Sequence, residues 1–263
     1  MSARRVAVRI AYNGKGFSGS QRQPGLRTVE GEVLRALEAV MPRMEGAFEL
    51  KAASRTDAGV SAAGNVIAFR SAMRDGAELL RALNAVSGDV HFLAVAELPE
   101  ERNIRHAASR RYRYFLPKEG IDIEAARACA PLFEGEHDFR RFCRDEGKGT
   151  VTIIDSINVS DECDMLVIEF IAPRFLWNMV RRIVAAIAAV AEGARTMSEL
   201  ERALQGEDLQ FGLAPAENLV LMDVEYHDLA FVRHDDPVLH RKIAEGLHRS
   251  RVDLSLLLSV RQR

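Results

Sequence analysis

Ala53-Ser54-Arg55-Thr56-Asp57-Ala58-Gly59-Val60-Ser61-Ala62 joins two apolar runs of different character from itself. Before it, Phe48, Leu50 and Ala52 alternate; after it, Asn65 to Arg70 reads as another strand. Alternation with a period of two marks a chain that buries one face of a sheet. An ordinary connection between strands needs only turn residues. This one carries a base and an acid, Arg55 and Asp57, beside Gly59, where a rigid scaffold can present them to a ligand. The stretch therefore reads as a functional loop between two strands, and the fold is whatever surrounds those strands.

Upstream, Val6, Val8, Ile10 and Tyr12 alternate over residues 4–12, a strand. A glycine-dotted loop follows, and Thr28 stands as N-cap to a helix whose apolar stripe is Val29, Val33, Leu34, Leu37 and Val40. Downstream, a helix is expected from Asp75 to Val86 and a strand from Val90 to Leu98. The second half has a similar grammar: strand Ser109–Leu116, helix Glu124–Phe133, strands Val151–Ser160 and Met165–Ile171, and a long helix Arg174–Glu192. A short helix begins at Ser198-Glu199-Leu200-Glu201, read as a capping box, and the last strand runs from Leu219 to Tyr226. This order predicts an α+β fold of two similar lobes, each a mostly antiparallel sheet with helices on one face, around a central cleft. The expected boundaries are 1–104 for the first lobe with the loop, 105–230 for the second, and 231–263 for a helical tail that docks on a lobe or a partner.

The bulk composition narrows the chemistry. With 263 residues and 48% hydrophobic content there is enough apolar material for a sizeable core. The three cysteines share no CxxC spacing, and with the scattered histidines they suggest no zinc ligand set, which fits a reducing cytoplasm. The longest apolar run, Ile183 to Ala191, is nine residues, against the ~20 that span a bilayer, so no membrane segment is expected. The N-terminus lacks the apolar core of a signal peptide. No Walker or Rossmann glycine motif is present, and neither a metal nor a small-molecule cofactor is expected. Net charge is −2, but Arg102 to Arg113 holds five arginines and no acid, while acids gather at Asp155–Glu169 and Glu217–Asp236. A basic stripe on a neutral chain predicts a localised polyanion footprint. Its arginines, Arg110 among them, would contact phosphate with Lys15, Arg22, Arg140, Arg141 and Arg144. Phe133, Phe139 and Phe142 read as core.

Ser54-Arg55-Thr56-Asp57-Ala58-Gly59-Val60-Ser61 resembles the catalytic signature of the pseudouridine synthases of the TruA family, in its archaeal and eukaryotic form. Four further segments resemble that family in the same order. They are Gly19-Ser20-Gln21-Arg22-Gln23-Pro24, with Ser20 in place of tryptophan; Arg110-Arg111-Tyr112-Arg113-Tyr114; Phe175-Leu176-Trp177-Asn178-Met179-Val180-Arg181; and Leu213-Ala214-Pro215-Ala216-Glu217-Asn218-Leu219, with Asn218 where glycine is usual. The resemblance covers nearly the whole chain except the tail. It implies the pseudouridine synthase fold and isomerisation of uridine in tRNA at positions 38–40 of the anticodon arm, by a homodimer gripping one tRNA.

Asp57 is the carboxylate that would act on the flipped nucleotide. Attack on the sugar, addition to the base and removal of the 2′ proton all remain open to it. Its counter-ion is Arg55 or an arginine of the long helix. Arg181 and Arg182 point about 100° apart, so only one of them can face it; spacing leaves the choice open and the resemblance implies Arg181. The resemblance assigns Arg55 to the place vacated by the flipped nucleotide. Tyr112 shares a strand face with Tyr114 and would stack on the uracil and offer its hydroxyl, with Leu219 lining the same pocket. Two other readings compete. A non-catalytic RNA-binding protein of the same fold has no need of a carboxylate, and a glycosidase needs a second carboxylate that no motif supplies.

Overall fold

The computed structural model describes residues 3–147 and 149–261. Its centre is one sheet in the order β4–β1–β3–β10–β5–β9–β8, with β2 also on β3. The strands are β1 (Arg4–Tyr12), β2 (Lys51–Ala52), β3 (Ser61–Ser71), β4 (Val90–Glu97), β5 (Ser109–Pro117), β8 (Ser156–Glu162), β9 (Met165–Ala172) and β10 (Leu219–Glu225). All pairings are antiparallel except β10 on β3, a parallel contact of two residue pairs, Val220 with Ser61 and Leu221 with Ala62. That short seam joins the two halves of the chain. β6 (Gly135–Asp138) and β7 (Val151–Ile154) form a separate two-stranded sheet.

The helices are α1 (Val29–Val40), α2 (Gly76–Val86), α3 (Ile123–Cys129), α4 (Met179–Ala191), α5 (Met197–Leu204) and α6 (Pro237–Arg261). α1 starts at Thr28, whose hydroxyl accepts from the Gly31 N–H, and buries Val29, Val33, Ala36 and Leu37. α2 starts at Asp75, which accepts from two amides, and buries Leu79, Leu80 and Leu83. One continuous core runs beneath both halves, from Val6 and Val8 through Phe92 to Phe170 and Ile187, and takes in Phe133, Phe139 and Phe142.

Several expected elements shift: the strand expected from Asn65 begins at Ser61, and the Phe48–Ala52 alternation forms a strand only at Lys51–Ala52. The strand expected over Val151–Ser160 breaks at Asp155, because the buried positions move from Thr152 and Ile154 to Ile157 and Val159, an odd step that reverses the pleat. The chain changes sheets there. The helix expected over Glu124–Phe133 ends at Cys129 and tightens into a 3-10 turn, Ala130–Phe133, containing Pro131. The capping box uses Thr196 and Glu199, two residues before the expected Ser198 and Glu201. Both pairs satisfy the same spacing, and the Thr196 amide donates to the Glu199 carboxylate at 2.8 Å. The long helix begins at Met179 rather than Arg174, since Asn178 sits at φ 61 and ends an irregular segment.

The tail forms a helix whose first turns dock on α2. Buried Asp236 accepts from the Asn84 amide at 2.8 Å, Leu239 is buried, and Lys242 donates to the carbonyls of Asn84 and Ser87. Among the described residues no helix is long and apolar enough to cross a membrane.

The seam tolerates little added bulk. A Cβ on Gly64 would stand 2.6 Å from the Met222 carbonyl oxygen and 3.2 Å from Cα of Asp223, both backbone. Gly64→Ala is therefore expected to destabilise the fold by about 1–3 kcal/mol, read as a lower urea midpoint at unchanged slope.

Candidate active site

β3 has two edges. β1 covers one along its whole length, so β2 and β10 must share the other. β2 pairs with Ile67 and Ala68, and β10 with Ser61 and Ala62. The loop 53–60 leaves the sheet in the gap between them. Local bonds shape it: the Ala53 N–H donates to the Val66 carbonyl at 2.8 Å, the Asn65 amide to the Ser54 carbonyl at 3.0 Å, and the Val60 N–H to the Asp57 carbonyl at 3.1 Å. Gly59, at φ 87, completes the turn where a side chain would be strained. Thr56 is buried and held from three directions. Its N–H donates to Ser20 Oγ at 2.8 Å, its carbonyl accepts from the Ser20 N–H at 3.0 Å, and its hydroxyl meets Tyr12 Oη at 2.9 Å. With Thr56 fixed, Asp57 points into a cleft of about 820 Å³ between the two halves.

The chosen counter-ion is Arg181. Its Nη1 donates to Asp57 Oδ2 at 3.0 Å, and its Nε donates to the Ala214 carbonyl at 2.8 Å. Both side chains are mostly buried, at 14% and 29% exposure, which strengthens the pair relative to a surface one. Arg182 faces elsewhere. Arg55 is exposed, lines the cleft, and has no carboxylate partner among the described residues. Tyr112 and Leu219 are buried in the cleft wall, and Phe175 stands edge-on to Tyr112 at 5.2 Å. Burial first, then the phenol of Tyr12, raises the Tyr112 pKa well above its ordinary value; nearby Arg110 opposes this and Asp57 adds to it. Its hydroxyl thus stays neutral at neutral pH and can donate or accept a hydrogen bond. Among the described residues no cluster of His, Cys, Asp and Glu could hold a metal.

Arg110 requires a correction. It is buried, not a phosphate contact. Nε donates to Ser54 Oγ at 2.9 Å, Nη2 to the carbonyls of Ala53 and Arg105 at 3.2 and 2.8 Å, and Nη1 to the Pro173 carbonyl. It is the internal tether of the active loop. Three more arginines of the stripe, Arg102, Arg111 and Arg113, have acids beside them. β10 and β9 flank β5, bringing the acidic segments alongside. Arg102 pairs with Asp228, Arg113 with Glu169, and Arg111 lies 4.0 Å from Asp223. Arg140 and Arg141 likewise pair with Asp138 and Asp208. The exposed arginines left at the cleft without a carboxylate partner among the described residues are Arg55, Arg105 and Arg174, while Arg22 and Lys15 are exposed outside its lining.

Sequence reasoning passed over Ser20, Tyr12, Phe175 and Trp177. Trp177 Nε1 donates to Asp57 Oδ1 at 3.1 Å. The signal available was their place inside segments already singled out for other residues.

The family profile described as tRNA pseudouridine synthase matches residues 129–227. The chain is 40% identical to "tRNA pseudouridine synthase A" of Pyrococcus furiosus, covering 96% of this chain and 94% of that one. It is also 40% identical to the protein of the same name from Pyrococcus horikoshii, covering 97% of each.

If Arg110 tethers the loop, Arg110→Met should lower stability by about 2–4 kcal/mol, since several buried carbonyls lose their donor. The salt dependence of RNA binding should keep its slope, measured by filter binding over a range of salt concentrations.

Proposed function

This chain belongs to the tRNA pseudouridine synthase family, and we propose that it isomerises uridine in tRNA with Asp57 as the acting carboxylate. The reaction breaks the N1–C1′ bond, turns the base and rejoins it through C5, so atoms and electrons balance without a redox partner or group donor. The observation that carries the assignment is the Asp57–Arg181 ion pair at the floor of the cleft, 3.0 Å long and mostly buried. Arg181 fixes the direction of the carboxylate, and the cleft is wide enough to take an extruded nucleotide. Tyr112 offers a ring and a neutral hydroxyl to the base, Leu219 excludes water, and exposed Arg55 takes the place of the flipped nucleotide in the RNA.

The substrate positions we infer are 38–40 of the anticodon arm, and the assembly a cytoplasmic homodimer. The lobes are taken as 1–104 and 105–230, meeting at the β3–β10 seam, with 231–263 as the tail. A non-catalytic RNA-binding role is disfavoured by two donors trained on one carboxylate, an arrangement that mere binding does not need.

Asp57→Asn is expected to abolish product while leaving tRNA affinity within about tenfold, roughly 1.4 kcal/mol. Unmodified tRNA transcripts incubated with each protein and mapped for pseudouridine provide the check. Turnover by Asp57→Asn near the unmutated rate would remove Asp57 from the chemistry, and product outside positions 38–40 would correct the substrate. Tyr112→Phe keeps the ring and removes the hydroxyl; turnover should fall by about 10²-fold if the hydroxyl moves a proton, and an unchanged rate would exclude it.

A further inference from the structure

Trp177 lies in the irregular segment between β9 and α4 and is 39% exposed at the cleft. An indole is a donor only. Here its N–H takes Asp57 Oδ1 at 3.1 Å while Arg181 takes Oδ2 at 3.0 Å. The indole is itself held. The guanidinium carbon of Arg144 sits 4.0 Å from the ring centroid, and the Arg144 backbone N–H donates to the Trp177 carbonyl at 2.8 Å. On the other side, left-handed Asn178 fixes the direction in which the segment enters α4.

The carboxylate torsion of an aspartate is broad and roughly two-fold, so one donor leaves the plane free to swing. Two donors from different elements, one on each oxygen, fix it. A carboxylate has about four lone-pair sites, so both bonds can persist while the group reacts. Resting on the reading of Asp57 as the acting carboxylate, we infer that Trp177 is a positioning residue: its indole N–H orients Asp57, and Arg144, stacked on the ring, keeps the indole in place. Arg144 thereby exchanges its expected phosphate contact for a part in the chemistry's geometry.

The test uses kinetics on tRNA transcripts for Trp177→Phe, Arg144→Ala and the double variant, with Asp57→Asn in parallel. Trp177→Phe keeps a ring and removes the N–H; kcat should fall about tenfold or more with KM within twofold. Arg144→Ala should lower kcat by itself and have no further effect on kcat in the Trp177→Phe background, because it acts through the indole. The chain has a single tryptophan, so its fluorescence reports on this ring alone. Asp57→Ala and Arg144→Ala should each increase quenching by acrylamide, a readout that stands even if Trp177→Phe folds poorly. Unmutated kcat in Trp177→Phe beside an inactive Asp57→Asn would overturn the positioning role alone. An active Asp57→Asn would overturn the reading of Asp57 itself. A loss confined to KM would make Trp177 an RNA contact, and additive losses would make Arg144 an independent one; either result overturns the inference. Unchanged quenching in both alanine variants would do so as well.

Discussion

The edge of β3 is too long for either strand that shares it. β2 takes Ile67 and Ala68, β10 takes Ser61 and Ala62, and the residues between have no strand beside them. Backbone groups buried without partners are costly, so the gap has to be filled. It is filled by the loop itself, with Ala53 bonding to Val66 and the Asn65 side chain to Ser54. Arg110, reaching across from β5, supplies donors to Ala53 and Ser54 that no strand provides. The loop that carries Asp57 is thus what the sheet does at the place where its pairing is interrupted. Because the parallel seam brings the second half of the chain to the same place, Arg181, Tyr112 and Leu219 arrive beside Asp57 without any long excursion.

The same seam explains why the charge pattern misleads when read along the chain. Arginines of β5 and acids of β9 and β10 are far apart in sequence but neighbours across the ladder. Cross-strand opposite charges are favourable, and Arg113 meets Glu169 in this way; Arg102, ahead of β5, pairs with Asp228, just beyond β10. A footprint for a polyanion then depends on which arginines escape pairing. Arg55 escapes because its loop projects from the sheet, and Arg105, at the cleft, has no carboxylate beside it among the described residues. A local count of like charges is evidence for a phosphate surface only once the strand order is known.

The order of elements was legible because period-two and helical stripes are local properties, and Val6 to Tyr12 or Val29 to Val40 carry them in full. The break at Asp155 was also written locally, in the odd step from Ile154 to Ile157, but is easily absorbed into one long apolar run. The capping site at Thr196 was ambiguous in principle, since two overlapping pairs have the required spacing. Asp57 and its arginine came from motif resemblance; the choice of Arg181 over Arg182 needed the helix phase that the late start at Met179 sets. Arg110 was misjudged because it was counted with the basic stripe, although strict alternation puts it on the same face as Tyr112 and Tyr114, which is buried.

That alternation also links the two environments at the site. Arg110, Tyr112 and Tyr114 share the inward face of β5. Burial lowers the pKa of Arg110 and raises that of Tyr112, so each charged form is disfavoured, yet a guanidinium stays charged across the physiological range. Its charge has no carboxylate partner among the described residues, only carbonyl oxygens and a hydroxyl. Using carbonyl dipoles instead keeps Asp57 as the acid that faces the cleft beside Tyr112, with its two oxygens addressed by donors from a different part of the chain. The arrangement separates the cation that builds the loop from the cation that orients the carboxylate, and it is this separation that lets a loop tethered so firmly still present a partly exposed acid to the cleft.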